Sequence, residues 1–204
     1  MPESYEPVLE ALRKNNFDAC FAVDSNEACL EVLKRIPENA PVGIGGSLTV
    51  SQIGLADLLA EHNLTIHNQA DGKSKEEIAA IKKKANSCEV YISGINALTE
   101  DGKLVYMDGS GNRVSAIAYG PSKVITICGV NKIVKNIDEG LQRIRDIAGP
   151  ANAKRLNYNT PCAKTGKCED CSSPQRICNI FTVIQKKPMM KDFSVILVDQ
   201  ELGL

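Results

Sequence analysis

The 204-residue chain has no tryptophan, only four phenylalanines and five tyrosines, and two histidines. So few flat rings leave little on which a nucleic-acid strand can stack. Nor is there a charge excess: 24 Lys and Arg against 25 Asp and Glu give a formal net charge of -1. Bulk nucleic-acid binding depends on a surplus of cations that displaces counterions, and that surplus is missing. No apolar run approaches the ~18 residues that cross a bilayer. The opening Met1-Pro2-Glu3-Ser4 lacks the basic and then apolar stretches of a secretion signal. The expectation is a cytoplasmic protein that engages neither membrane nor nucleic acid. At this length one core can bury roughly 70–75% of the unfolded surface, so 1–204 reads as a single domain.

Cysteine is the residue in unusual supply, with eight copies. Cys20, Cys29, Cys88 and Cys128 sit in apolar segments and read as small core residues with inert thiols. Cys162, Cys168, Cys171 and Cys178 crowd into residues 157–179, which hold turn formers and no apolar period. In a cytosolic setting such a cluster reads as metal or redox chemistry before it reads as disulfides.

Strands and helices alternate through the first 150 residues. Apolar runs at 17–23, 41–45, 64–67, 88–93 and 123–130 read as strands. Helical spacing occupies 26–36, with Ser25 or Asn26 as N-cap, and 50–61 as one helix. Ser74 and Glu77 form a capping box that starts a helix reaching about residue 85. Asp101-Gly102 between apolar flanks signals a hairpin over 97–105. A further helix spans 137–148, after which Gly149-Pro150 marks a change of pattern. Strand character resumes at 181–185 and 193–198, and both late strands are expected to return to one sheet. The cysteine segment is then an insertion. This order predicts an α/β fold with a mainly parallel sheet covered on both faces.

Two stretches carry candidate chemistry. Gly43-Ile44-Gly45-Gly46-Ser47-Leu48-Thr49 links a strand to a helix, so its amides and hydroxyls suit a small anion, a carboxylate or a phosphate. It is neither a Walker A loop nor a G-x-G-x-x-G fingerprint. The competing reading is a tight turn in which Ser47 or Thr49 caps the helix. Cys162-x5-Cys168-x2-Cys171-x6-Cys178 matches neither a zinc ribbon nor a ferredoxin run, and a tetrahedral Zn site and a [4Fe–4S] cluster both stay open.

Lesser candidates surround these. Glu100 and Asp101 are a conceivable acid–base pair, although an Asp-Gly turn explains Asp101 more simply. Asn112 and Arg113 follow a Gly-x-Gly turn and suit a carboxylate or phosphate, with a helix cap plus a surface ion pair as the alternative. Asn131 and Lys132 follow the most apolar strand, where open α/β sheets bind ligands. His62 and His67 have no local Ser or Cys partner and read as structural.

Four blocks, taken in order, carry a resemblance: Gly43-x-Gly45-Gly46-Ser47-x-Thr49; Gly94-Ile95-Asn96-Ala97-Leu98-Thr99-Glu100-Asp101-Gly102; Asp108-Gly109-Ser110-Gly111-Asn112-Arg113; and Gly129-Val130-Asn131-Lys132. From about residue 43 to 204 the chain resembles the LUD-domain family, which includes the C-type subunit of bacterial lactate-utilisation systems. The resemblance implies the Rossmann-like three-layer α/β/α sandwich shared with ribose-5-phosphate isomerase, glucosamine-6-phosphate deaminase and CoA transferases. It implies that the loop at Gly45, Gly46 and Ser47 binds an anion, and a role in lactate oxidation beside iron–sulfur redox subunits. No catalytic base carries over. The expectation is an accessory subunit in lactate or related organic-acid oxidation. The alternatives are a stand-alone sugar-phosphate or CoA-ester enzyme using Glu100 or Asp101, and a non-catalytic metabolite or redox sensor.

Overall fold

The computed structural model describes residues 3–204; Met1 and Pro2, where the reading of the leader begins, lie outside them. Six strands form one parallel sheet in the order β1-β10-β7-β4-β2-β3. They are β1 (Asp18–Ala22), β2 (Val42–Ile44), β3 (Ile66–Asn68), β4 (Val90–Gly94), β7 (Lys123–Gly129) and β10 (Asp192–Val198). Both faces of this sheet are covered, which explains why its central strands read as unbroken apolar runs. Along β10, Val195 and Leu197 point into one core, while Ile196 and Val198 point into the other. Helices α1 (Glu6–Lys14) and α6 (Asn112–Ala118) contribute to the first core. Helices α2 (Ser25–Leu33), α3 (Leu48–Gln52) and α4 (Leu55–Glu61) contribute to the second. The fold is the expected Rossmann-like three-layer α/β sandwich.

Several elements differ from the sequence reading for local reasons. The α2 cap is Asp24, whose carboxylate accepts from Glu27 N, so neither Ser25 nor Asn26 fills that place. The stretch expected as one helix over 50–61 is two, broken at Gly54, whose φ of 68° lies outside helical space. Helix α5 (Lys75–Ala85) starts at Ser74, whose hydroxyl accepts from Glu77 N. Helix α7 (Ile137–Arg143) does not stop at Gly149-Pro150. It widens into a π turn over Ile144–Ala148 and continues as α8 (Gly149–Arg155). Pro150 falls in the first turn of α8, where a missing N–H costs little.

A second sheet, β8-β5-β6-β9, lies apart from the first. The expected hairpin forms from β5 (Ala97–Thr99) and β6 (Leu104–Asp108), with β8 (Ile133–Val134) parallel to β5. Only one late strand returns to the main sheet as expected, namely β10. The other, β9 (Ile180–Ile184), runs antiparallel to β6. The reason lies just before it. Asn179 donates its backbone N–H to Asp108 O and its side-chain amide to Gly109 O, which delivers the chain to the free edge of β6.

Candidate functional site

Strands β2, β4 and β7 all end at the same rim of the parallel sheet, so the loops that follow them meet. The β2 loop brings Gly45, Gly46, Ser47 and Thr49. Ser47 does cap α3, its hydroxyl accepting from Val50 N at 3.3 Å. Gly45 N–H is spent on Ile92 O. With α3 only five residues long, its dipole is a weak source of positive potential. The charge comes instead from the β7 loop. Lys132 Nζ donates to Thr49 Oγ1 at 2.7 Å, and the side chain is only 2% exposed.

Lys132 is a buried cation without a counter-ion. Among the described residues no carboxylate lies within ion-pair range of it or of Arg143. Burial pulls the ammonium down from its usual 10.5 to about 8, and Arg143 and Arg113 add repulsion. Desolvation likewise lowers Arg143. The nearest soft group, the Cys128 thiol, is driven up to about 11 by burial and stays neutral. Uncompensated charge of this kind is costly in a folded interior and is kept where an anion completes the site.

Two glycines make room around that ammonium. A Cβ on Gly94 would fall 2.4 Å from Ser47 Oγ, and one on Gly203 would fall 2.3 Å from Thr49 Oγ1 and 2.7 Å from Lys132 Nζ. Gly203 also has φ of +72°, which L side chains resist. The segment carrying it is pinned over the site: Asn131 Oδ1 accepts from Leu202 N at 3.1 Å, and Gln52 Oε1 accepts from Gly203 N. Asn131 therefore acts on the chain that covers the site.

The other candidates are engaged elsewhere. Arg113 donates to Asn96 Oδ1 at 2.8 Å and to Met107 O, and its guanidinium lies 5.5 Å from the Tyr106 ring centre. Asn112 is the first residue of α6, with its carbonyl accepting from Asn86 Nδ2. Asp101 accepts from the Thr99 hydroxyl and the Lys103 ammonium, which hold its carboxyl below the usual range. Glu100 is exposed, and its N–H is bound to Val134 O. Neither carboxylate bonds to Lys132 or Thr49 among the described residues.

Asn96, Arg143, Gly94 and Gly203 are absent from the sequence-derived site. Gly94 and Asn96 stand inside one of the four resembling blocks, whereas nothing local marks Arg143 or Gly203. Asp108 is also indispensable in a way its turn context only half shows. Its carboxylate accepts from the backbone N–H groups of Ser110, Gly111, Arg113 and Val114 at 3.2–3.3 Å. Asp108→Ala is expected to cost about 2–3 kcal/mol in chemical denaturation, because four backbone donors, the Val114 N–H buried and the other three partly so, lose a charged acceptor. Asp108→Asn should recover part of that, and an unchanged midpoint for the alanine variant would refute the role.

The four clustered cysteines form a second centre. Residues 157–179 join α8 to β9 and include the short helix α9 (Pro161–Thr165). Cys162, Cys168, Cys171 and Cys178 are all half-buried free thiols lining one cavity of about 50 Å³. Arg176 fastens the loop, donating to Cys171 O at 2.6 Å and Cys178 O at 3.1 Å while pairing with Asp170 at 2.7 Å. Among the described residues no three His, Cys, Asp or Glu side chains form a group that holds a single metal ion.

The two centres share a wall. Arg143 donates to Asn131 O and Asn96 O, and the next two residues, Ile144 and Arg145, line the cysteine cavity. Met107 lines it too, and its N–H bonds to Asn96 Oδ1.

The LUD domain family model matches residues 5–198. Among solved structures, the chain is similar to a DUF162-family protein from Deinococcus radiodurans, with 10% identity, a TM-score of 0.55 and 97% of each chain covered. At that identity the likeness bears on the fold alone. Partial likenesses extend to two ribose-5-phosphate isomerases. One, in complex with phospho-erythronic acid, has 17% identity, 52% of each chain covered and a TM-score of 0.35. The other, from Neisseria gonorrhoeae, has 20% identity, 57% of each chain covered and a TM-score of 0.36. No curated protein matches the sequence. No helix of the described residues is long and apolar enough to cross a membrane.

Proposed function

The chain belongs to the LUD-domain family, and from that premise we propose that it is an accessory protein of lactate or related organic-acid oxidation, binding a small anion at Lys132 and carrying a metal centre at Cys162, Cys168, Cys171 and Cys178. The observation that carries the reading is the buried, unpaired Lys132 ammonium facing Thr49 at the carboxyl ends of parallel strands. A carboxylate or phosphate there regains the ion pair that folding withholds. Thr49, Ser47 and loop amides then supply neutral donors, and the segment at Gly203 covers the ligand. A redox role in this setting calls for iron–sulfur partner subunits.

A stand-alone acid–base enzyme has less support. Asp101 is occupied by Thr99 and Lys103, and Glu100 sits beyond it at the hairpin turn. The groups around Lys132 are hydroxyls, amides and cations, which suit holding an anion better than moving protons along a carbon chain.

The test is thermal stabilisation of the intact protein by lactate, pyruvate and inorganic phosphate at pH 7. At least one of these anions is expected to raise the melting temperature in a saturable way. Gly203→Ala should weaken that response at least tenfold, because its methyl group occupies the space of Thr49 Oγ1 and Lys132 Nζ. An equal response in wild type and Gly203→Ala, or none to any of the three anions, would sink the reading.

A further inference from the structure

Resting on the metal-centre reading above, we infer that the four-cysteine cavity is the seat of a polynuclear iron–sulfur cluster of the [4Fe–4S] kind, and not of a single zinc ion. In a tetrahedral zinc–thiolate site each Zn–S bond is about 2.3 Å, which brings the sulfurs to roughly 3.8 Å from one another, in van der Waals contact. Such a site encloses no void. Here the four thiols share a cavity of about 50 Å³. A water occupies roughly 10–15 Å³ by this measure, so three or more water-sized bodies fit. A cubane of iron and sulfide fills space of that order, whereas one ion leaves it empty.

Charge gives a second line. Four thiolates around an oxidised cubane core carry a net charge of about -2. Arg145 and Arg176 both line the cavity, against one carboxylate, Asp170. That surplus stabilises the net negative charge carried by four metal-bound thiolates, around a cubane or around one zinc ion alike, so it supports an occupied metal centre and leaves the choice of occupant to the space between the thiols. The rest of the wall is apolar, with Met107, Ile144, Pro150 and Ile177 keeping water from the sulfurs.

Local order gives a third line. Residues 166–179 have neither helix nor strand, and their apolar content is too small to hold a conformation by packing. Yet Arg176 fixes the carbonyls of two cysteines and Thr160 meets Cys162 Sγ at 3.3 Å. The loop is arranged around its thiols, as ligand loops are.

The experiment is anaerobic purification of the full chain, with iron, acid-labile sulfide and zinc measured per chain, alongside visible absorption before and after dithionite. The expected result is about four irons and four sulfides with a broad absorption that bleaches on reduction. Both should be lost in Cys168→Ser/Cys171→Ser and kept in Cys20→Ser, which alters a thiol far along the sequence. About one zinc per chain, persisting after reconstitution with ferrous iron and sulfide, would overturn the cluster while leaving a metal centre in place. No metal before or after reconstitution, with the four thiols free or in disulfides, would overturn the cluster and the metal-centre reading together.

Discussion

Lys132→Met should make the ligand-free protein more stable at pH 7. The fall of the ammonium from its usual 10.5 to about 8 measures the cost of burying the charge. At roughly 1.4 kcal/mol per pH unit, that cost is about 3 kcal/mol. Methionine fills nearly the same volume without charge. Thr49 loses its donor, which takes back about 1 kcal/mol. A net gain of about 2 kcal/mol corresponds to a melting temperature some ~4–8 °C higher in a domain of this size.

The pH dependence has a definite sign. Below about pH 8 the amine is protonated in both folded and unfolded chains, so the full penalty is present. Between about 8 and 10.5 the unfolded chain holds a proton that the folded one has released, and stability rises with pH. The gap between Lys132→Met and wild type should therefore close over that interval. The comparison between the two proteins cancels Cys20, pushed up to about 11 by burial and acting in the opposite sense, whereas Cys128, also pushed up to about 11, feels the Lys132 charge directly and does not cancel. The variant should also lose its thermal response to lactate, pyruvate or phosphate. A Lys132→Met protein that melts below wild type at pH 7 would mean the ammonium is already compensated, and the anion site would fall with that result.

Gly43→Ala is expected to produce the largest loss. Its Cβ would sit 2.4 Å from Ala85 O and 2.8 Å from Ala85 Cα, both backbone atoms of the last residue of α5. No side-chain rotation relieves such a contact, so β2 and α5 must separate. Overpacking usually costs about 1–3 kcal/mol, and a backbone clash belongs at or above the top of that range. The melting temperature should drop by roughly 6–12 °C. Because β2 leads directly into Gly45–Thr49, the anion response should weaken as well. A variant melting within about 2 °C of wild type would show that α5 moves aside freely, contrary to the close packing described above.

Much of this architecture is readable along the chain. Strands such as β7 and β10 are buried on both faces, so their apolar runs are continuous and bounded by turn residues. The Ser74–Glu77 pair and the Asp101-Gly102 turn act through neighbours a few residues apart, which is why local pattern finds them. The same holds for the cysteine cluster, whose four ligand candidates lie within one short segment.

Other features depend on residues that meet only in the folded molecule. Whether Gly54 breaks a helix, or Gly149-Pro150 is passed by a π turn, depends on packing against the sheet rather than on propensity. The partner of β9 was decided by Asn179 reaching Asp108 and Gly109, some 70 residues back. The proposed anion site is the clearest case. By itself the sequence determined an α/β fold, a glycine–hydroxyl loop and a run of thiols. Tertiary structure alone decided that Lys132 would be buried against Thr49 with no carboxylate of the described residues in ion-pair range, that Arg113 would be spent on Asn96 and Met107, and that Gly203 would close over the top. The physical reason is that burial and the absence of a counter-charge are properties of a three-dimensional neighbourhood. Lys132 is one of 24 cations in the sequence, and only the meeting of three strand ends sets it apart.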